Sequence, residues 1–219
     1  MTSRLPALRA ALLAASLSQG CATIPPPDYS AFRAHEPRSI LVLPPLNSTV
    51  SVPAPYSWLS TVTMPLAEDG YYVFPVAVVD AFLKENGLPT PGEMHGVAPQ
   101  KLAEVFGADA ILYLTITEYG QKYVVLSSNT VAGATARLVD AKTGMQLWEG
   151  KVNLVQGSGG SGNLIADLII AAVDQIVDSS TDQAHTLSRS ANFLLVHDKT
   201  RGIPPGVRHP RHGQDPRGR

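Results

Sequence analysis

The chain has 219 residues, of which 44% are apolar and 16% are charged, and its formal net charge is −1. This length and apolar content predict one folded domain with a hydrophobic core rather than a disordered chain. The nearly balanced charge gives no basis for binding nucleic acid, and a single cysteine excludes an internal disulfide or a cysteine metal cluster.

Residues 1–20 have the order of a secretory signal that ends at the only cysteine of the chain. Arg4 and Arg9 precede an apolar run, and small or weakly polar residues lead from it to Cys21. A positive region, a short apolar core and a small residue at the cleavage position indicate an export signal. A cysteine directly after the cut is typical of a bacterial lipoprotein, in which the Cys21 thiol carries a diacylglyceryl group. An ordinary signal peptide that is cut nearby is the alternative.

The residues after the predicted lipid attachment site indicate where the protein is held. The next residue is Ala22 rather than aspartate, and in enterobacterial sorting this favours the outer membrane. We therefore expect a lipid anchor at the periplasmic face of the outer membrane, with exposure at the cell surface as the alternative. Residues 21–37 include a run of prolines, which do not pack as helix or central strand, and are expected to form an extended tether.

Residues 38–198 are expected to form a single globular domain whose first half alternates strands and helices. Apolar runs that stop at proline or glycine predict strands, and apolar positions at helical spacing predict helices. The predicted elements are a strand at 39–43, a helix at 56–69, a strand at 71–75, a helix at 76–86 and a short helix at 99–106. Residues 89–95 are predicted to be a loop.

The second half of the domain is predicted to be rich in strands. The predicted strands span 110–117, 122–127, 130–140 and 145–155, and a tight turn at 141–144 joins the last two. A glycine and serine loop then leads to a long helix at 163–180, and an apolar stub follows at 192–196. Residues 199–219 hold six Lys or Arg residues and one Asp, and are predicted to be a basic disordered tail.

This order of elements predicts an α+β fold of the α/β-sandwich type. A β-α-β-α half supplies crossover connections, an antiparallel meander follows, and a long C-terminal helix ends the domain. All strands are expected to join one mixed sheet, with helices packed mainly on one of its faces.

The sequence offers no arrangement that predicts catalysis or a cofactor. The glycine and serine loop lacks the lysine of a phosphate-binding P-loop, and the six histidines have no zinc-protease spacing. Asp167, Asp174 and Asp178 share one face of the predicted helix, where a solvated surface is favoured over a metal site. We therefore expect no enzymatic activity, no cofactor and no bound metal.

Aromatic residues are the better candidates for function. Tyrosine and tryptophan concentrate where proteins bind one another, so Trp58, Tyr72 and Tyr119 are candidate partner contacts. Phe193 is a fourth candidate, because it belongs to the apolar stub at 192–196, which could help to cover a homodimer interface.

Several blocks of the sequence resemble one known family. They are residues 39–47, residues 65–76, residues 106–110 and the groups Leu138-Val139-Asp140, Thr143-Gly144 and Leu147-Trp148. Together they resemble the bacterial lipoprotein family known from a neisserial surface antigen, over residues 21–196 and without the basic tail. The resemblance implies a fold similar to the N-terminal domain of TolB and to CsgG-like envelope lipoproteins. It implies no catalytic residues, and it makes a CsgG-like lipoprotein a candidate partner.

The leading expectation is a non-catalytic, lipid-anchored accessory or assembly component of a cell-envelope or secretion complex. It would act by protein–protein contacts and form homodimers. The alternative is an auxiliary transporter component that binds or senses a small ligand near the loops at 47–55 and 89–98. A cell-wall hydrolase is disfavoured, because no nucleophile with a positioned base can be assembled from the sequence.

Overall fold

A computed structural model of the protein describes residues 27–124, 127–157, 169–172, 183–215 and 217. The predicted signal at 1–20 and the predicted attachment site Cys21 lie outside these residues. Within the described ranges, no helix combines the length and the apolar character needed to cross a membrane.

The described residues form six helices and seven strands. In chain order they are α1 (Ser30–His35), β1 (Ser39–Val42), β2 (Leu46–Asn47), α2 (Ala54–Glu68), β3 (Tyr72–Val73), α3 (Val76–Glu85), α4 (Pro91–His95), α5 (Pro99–Phe106), β4 (Ala110–Val124), β5 (Ser127–Asp140), β6 (Gln146–Gly157), β7 (Ile169–Ala172) and α6 (Gln183–His197). The alternation predicted for the first half and the strand-rich second half are both present.

All seven strands belong to one mixed sheet. Its order is β3–β1–β4–β5–β6–β7, and the short strand β2 pairs with β4. Strand β1 is parallel to β3 and to β4, and β6 is parallel to β7, whereas β4, β5 and β6 form an antiparallel meander. Helix α2 joins β1 to β3, as a parallel pair requires a crossover. The predicted α+β class with a mixed sheet is confirmed.

Alternation along the strands gives the sheet two faces with separate cores. In β4, Ala110 and Leu112 face a larger core, while Ile111 and Tyr113 face a smaller one. Helices α1, α2 and α6 pack on the larger core, and α3, α4 and α5 supply residues to the smaller one. Helices therefore pack on both faces of the sheet, and the expectation that they pack mainly on one face is wrong.

The smaller core covers only part of its face. Its strand residues come from β1, the start of β4 and the end of β5, and among the described residues it includes none from β6. Side chains alternate along a strand, so Arg137 and Thr135 of β5 face the same way as Val139, which belongs to the smaller core. Lys151 of β6 pairs with Thr135 and therefore points to this face as well. Part of the sheet next to the smaller core is therefore lined by polar and charged side chains.

Two details of the first half differ from the sequence predictions. Residues 89–95, predicted to be a loop, contain the short helix α4. The Thr90 side chain accepts a hydrogen bond from the Glu93 amide, and the Glu93 carboxylate accepts one from the Thr90 amide, which is the reciprocal cap that starts a helix. Pro65 lies within α2 without ending it.

Strand β4 is continuous where the sequence predicts two strands, at 110–117 and 122–127. The register with β5 shifts between Ile116 and Glu118. Such a bulge bends a strand and keeps its ladder intact on both sides, so the interruption in the apolar pattern marks the bulge and not a turn.

The prediction of a helix at 163–180 is wrong for its centre. Residues 169–172 form strand β7, which pairs in parallel with residues 152–155 of β6. The edge of β6 offers backbone hydrogen-bonding groups, and the isoleucines of β7 suit a strand, so pairing overrides the helical periodicity. The C-terminal helix is instead α6. The three aspartates that the prediction placed on one face, Asp167, Asp174 and Asp178, lie outside the described residues.

The apolar stub predicted at 192–196 is the last part of α6. Leu195 and Val196 are buried in the larger core, whereas Phe193 is 50% exposed. Because the chain covers most of the stub itself, the stub does not offer a continuous apolar surface for a homodimer.

The predicted tether at 21–37 is wrong for its second half. Helix α1 occupies part of it, and the Asp28 carboxylate accepts a hydrogen bond from the Ser30 amide at its start, over 2.8 Å. Tyr29 and Phe32 are buried in the larger core. The described part of the N-terminal segment is therefore packed against the domain.

The tail predicted to be disordered is also packed, as far as it is described. We call residues 198–215 together with Arg217 the C-terminal strap. Ile203 is 1% exposed. Tyr29 donates to the Gly202 carbonyl over 2.8 Å, Trp148 donates to the Arg201 carbonyl over 2.7 Å, and Tyr71 donates to the Pro204 carbonyl. The basic composition of the tail does not predict these contacts, because the side chains that donate the hydrogen bonds lie far away in the sequence.

Further hydrogen bonds hold the middle and the two ends of the strap. The Gly206 amide donates to the Asp69 carbonyl over 2.7 Å. Arg217 donates to the Asp198 carbonyl over 2.5 Å and forms an ion pair with Asp215 at 2.6 Å. The Arg33 side chain donates to the Arg217 carbonyl over 3.2 Å, so the strap also contacts α1.

Two glycines test whether the strap is packed in solution. Gly70 and Gly87 both have positive φ, of +84° and +85°, so alanine strains the backbone equally at either position. At Gly70 the new Cβ would lie 2.4 Å from the His209 amide nitrogen, whereas at Gly87 no atom lies within 4 Å. We expect Gly70→Ala to lower the free energy of unfolding by at least about 2 kcal/mol more than Gly87→Ala, as measured by urea denaturation. Equal losses would mean that the strap is not packed there.

Candidate functional site

The four predicted partner contacts fall in different places. Trp58 is fully buried in the larger core, and its indole nitrogen has no hydrogen-bond partner among the described residues. The prediction that Trp58 contacts a partner is wrong, because α2 turns this side chain toward the sheet. Tyr72 is 48% exposed, Phe193 is similarly exposed on α6, and Tyr119 is half-buried. Only Tyr72 and Phe193 are therefore open to a partner.

Four aromatic side chains form a continuous row, which we call the aromatic surface. They are Tyr72 in β3, Phe74 just after it, Phe106 at the end of α5 and Phe82 in α3. The ring centroids are 5.1 Å apart for Tyr72 and Phe74, 6.3 Å for Phe74 and Phe106, and 5.3 Å for Phe106 and Phe82. Each pair meets edge to face, which is a geometry that the ring quadrupoles favour.

The aromatic surface combines a fixed base with exposed ends. Phe74 and Phe106 pack against the smaller core, whereas Tyr72 and Phe82 are exposed, Phe82 by 40%. Exposed Val78 lies one helical turn before Phe82 on α3 and extends the apolar area. Strand β3 ends the order of paired strands, so this apolar area lies beside a sheet edge.

Tyr119 belongs to a polar cluster between β4, α2 and α6, which we call the helix clasp. The Tyr119 hydroxyl donates to Ser57 Oγ over 2.9 Å. Ser57 Oγ also lies 2.8 Å from His185 Nδ1 and 3.2 Å from Ser188 Oγ. Sequence reasoning missed this cluster, because Ser57 and His185 stand 128 positions apart and no local motif connects them.

A serine beside a histidine raises the hydrolase hypothesis again. Ser57 is poorly placed for attack, because it is buried and its oxygen accepts a hydrogen bond from Tyr119. It lines neither of the two larger cavities formed by the described residues. Asn192 of α6 donates to the Trp58 carbonyl of α2 over 3.0 Å, beside the clasp. The cluster therefore fixes one helix against the other.

A cavity of about 710 Å³ opens over the polar part of the sheet next to the smaller core and extends to Leu195 of α6 and Arg201 of the C-terminal strap. Its wall includes Pro27, His95, Tyr113, Arg137, Lys151 and Arg201. A second cavity of about 280 Å³ shares three of these residues, His95, Tyr113 and Arg137. Of the two loops where the sequence predicts a ligand pocket, the one at 89–98 contributes to both cavities, and the one at 47–55 lines neither.

Three side chains that contact one another line both cavities. His95 meets the Tyr113 ring edge to face at 5.2 Å, and Arg137 Cζ lies 4.5 Å from the centroid of the same ring. His95 Nε2 donates to the Pro44 carbonyl over 2.9 Å. Burial lowers the pKa of His95, and the Arg137 charge lowers this pKa further. At neutral pH His95 is therefore uncharged, and the guanidinium of Arg137 is the charged group among these three side chains.

Comparison with known proteins finds relatives over most of the chain. A model of the family described as "Putative lipoprotein GNA1162-like" matches residues 27–208. A protein of Neisseria meningitidis serogroup B named "Putative lipoprotein NMB1124/NMB1162" is 44% identical over 188 residues, which cover 85% of this chain and 87% of that protein. The crystal structure of lipoprotein GNA1162 from Neisseria meningitidis is 46% identical, with a TM-score of 0.53, and covers 58% of this chain and 88% of that one.

The extent of the family match changes one expectation. It runs to residue 208 and so includes the first part of the C-terminal strap, which the sequence resemblance had left out. The names of these relatives mention neither a catalytic activity nor a binding partner. The likeness to the TolB and CsgG folds stays a prediction.

Proposed function

Because this chain belongs to the GNA1162-like family of lipoproteins, we propose that it is a lipid-anchored envelope protein that acts by contacting other proteins and not by catalysis. In this proposal Cys21 carries the lipid and holds the domain at the periplasmic face of the outer membrane. The order of charged, apolar and small residues in 1–20 supports the export signal, and the family name supports the anchor.

The aromatic surface is the observation that carries the contact role. Exposed aromatic side chains on a rigid base are enriched at the centres of protein interfaces, since they bury a large area at little entropic cost. Here Phe74 and Phe106 fix the base against the smaller core, and Tyr72 and Phe82 are free to be covered. Two proposed partners are a CsgG-like envelope lipoprotein and a second copy of this chain.

A second function is favoured by the larger cavity. Its volume of about 710 Å³ is in the usual range of small-molecule sites, roughly 300–1,000 Å³. His95 and Arg137 in its wall give a ligand polar contacts beside an aromatic ring. The chain would then bind or sense a small ligand as the auxiliary component of a transporter.

Replacing Cys21 with serine tests the lipid anchor. Cys21 is the only cysteine of the chain, so no other thiol can take the acyl group. We expect cells fed labelled palmitate to label the wild-type protein and not the Cys21→Ser protein. The variant Thr23→Ala, which leaves the cysteine in place, is the control and should keep its label. A labelled Cys21→Ser protein would contradict the anchor.

Two phenylalanine variants test the aromatic surface. Phe82→Ala removes an exposed end of the row, and Phe193→Ala removes a phenylalanine of similar exposure on α6. Truncation of an aromatic residue at an interface hot spot costs about 2 kcal/mol or more, so we expect Phe82→Ala to weaken partner binding by at least about tenfold. Quantitative crosslinking in intact cells measures the partner fraction bound to each variant.

The comparison between the two variants decides the result. We expect Phe193→Ala to retain the wild-type crosslinked fraction, with both variants showing a folded-state urea midpoint close to that of wild type. Equal retention in both variants, or loss only in Phe193→Ala, would show that the aromatic surface is not the contact.

A further inference from the structure

The floor of the larger cavity brings cationic and hydroxyl groups onto one face of three strands. Thr135 of β5 pairs with Thr115 of β4 on one side and with Lys151 of β6 on the other. Arg137 follows two residues after Thr135 and is therefore a diagonal neighbour of Lys151, with the two backbones about 7–8 Å apart. All of these residues line the cavity.

These groups have donors to offer. Arg137 contacts the Tyr113 ring, and its guanidinium has no ion pair or hydrogen bond with the rest of the described chain. The same holds, among the residues that the structure describes, for the Lys151 ammonium and for the Thr115 and Thr135 hydroxyls. An arginine supplies five N–H donors and a lysine three, so the floor is rich in donors.

The charge of the cavity wall favours an anion. Among the described residues of the wall, Arg137, Lys151 and Arg201 are cationic and Glu149 is acidic, and Glu149 pairs with Arg137 in the register of β5 and β6. The Glu149 carboxylate accepts a hydrogen bond from the Gln146 side chain over 3.0 Å. The described part of the wall therefore carries an excess of positive charge, and a tetrahedral or planar oxyanion matches the forked donors of arginine.

The stack on Tyr113 orients the guanidinium before a ligand arrives. Arg137 Cζ lies 4.5 Å from the ring centroid, and His95, which is held by its hydrogen bond to the Pro44 carbonyl, meets the same ring edge to face. A side chain held in place loses less entropy on binding than a free one. The N–H groups of Arg137 are thereby kept available at the cavity.

The position of the cavity along the chain indicates a source of oxyanion. Pro27 lines the cavity and stands six residues after the proposed attachment site Cys21. Six residues of extended chain span at most about 20 Å. A domain anchored through Cys21 therefore holds this cavity near the headgroups of its own membrane, where phosphate groups are abundant.

We propose that the larger cavity is a phosphate-binding site in which Arg137 and Lys151 neutralise the anion and the Thr115 and Thr135 hydroxyls complete its hydrogen bonds. The headgroup of an anionic phospholipid is the nearest source of that phosphate, and free phosphate is the other. The phosphate chemistry rests on the cavity alone, whereas the lipid source also rests on the proposed anchor at Cys21.

Charge-matched variants of the full chain test the site. Arg137→Gln removes the stacked guanidinium, and Arg189→Gln removes an exposed arginine on α6 that lines neither cavity. Lys151→Gln is compared in the same way with Lys142→Gln, which lies in an exposed turn. The proteins are purified in a non-ionic detergent. Inorganic phosphate is titrated by calorimetry, and native mass spectrometry counts bound phosphatidylglycerol against phosphatidylcholine.

We expect the wild-type chain to bind inorganic phosphate, and Arg137→Gln and Lys151→Gln each to weaken it by about tenfold or more, as for a lost charge-assisted hydrogen bond. The Arg189→Gln and Lys142→Gln controls should bind as wild type does. Preferential retention of phosphatidylglycerol identifies the lipid as the source, and binding of inorganic phosphate alone identifies the free anion. Both results support the site.

Two outcomes would overturn the proposal. One is that the wild-type chain binds neither inorganic phosphate nor phosphatidylglycerol. The other is that the control variants weaken binding as much as Arg137→Gln and Lys151→Gln do. The anion would then bind through the overall surface charge and not at this cavity. Labelling of Cys21 with palmitate is measured separately, so failure of the phosphate site and failure of the lipid anchor remain distinguishable.

Discussion

Three buried aromatic side chains donate hydrogen bonds to the backbone carbonyls of Arg201, Gly202 and Pro204 in the C-terminal strap. The donors are Trp148 in β6, Tyr29 before α1 and Tyr71 before β3. Leaving one such buried group without its partner costs about 1–3 kcal/mol, so the strap, the N-terminal segment and the sheet are stabilised together. The direction in which the N-terminal segment leaves the domain depends on this arrangement, and the position of any anchor at Cys21 depends on that direction.

The two candidate surfaces lie toward opposite ends of the sheet. The phosphate cavity is built on β4, β5 and β6 with Pro27 in its wall, whereas the aromatic surface lies at β3. Four strand spacings of about 4.8 Å separate β6 from β3, or about 19 Å. In our account the anchor holds the cavity side near the bilayer and leaves the aromatic surface for another envelope protein. One domain can then contact its membrane and a partner at the same time.

The sequence correctly predicted the elements that are fixed by residues close together in the chain. The turn between β5 and β6 is an example, because the Asp140 carboxylate accepts hydrogen bonds from two amides of the turn and Gly144 has a φ of +76°. The features that the sequence did not predict depend on contacts between residues far apart in the chain. The strap has the composition of a disordered tail, and only donors far away in the chain order it. Strand β7 lies where a helix was predicted because β6 supplies an edge, and Trp58 is buried because α2 packs on the sheet. The clasp joins Ser57 to His185, which no spacing rule connects.

The most direct test of this account measures which end of the sheet faces the membrane in the lipid-anchored protein. Once Cys21 is acylated, the chain has no other thiol, so a cysteine introduced at Glu149 in the cavity wall or at Glu85 at the end of α3 takes a single spin label. Both positions are exposed glutamates, and the two variants change the charge equally. In liposomes that carry a paramagnetic nickel headgroup lipid, we expect stronger relaxation of the label at position 149 than at position 85. Equal relaxation, or stronger relaxation at position 85, would contradict it.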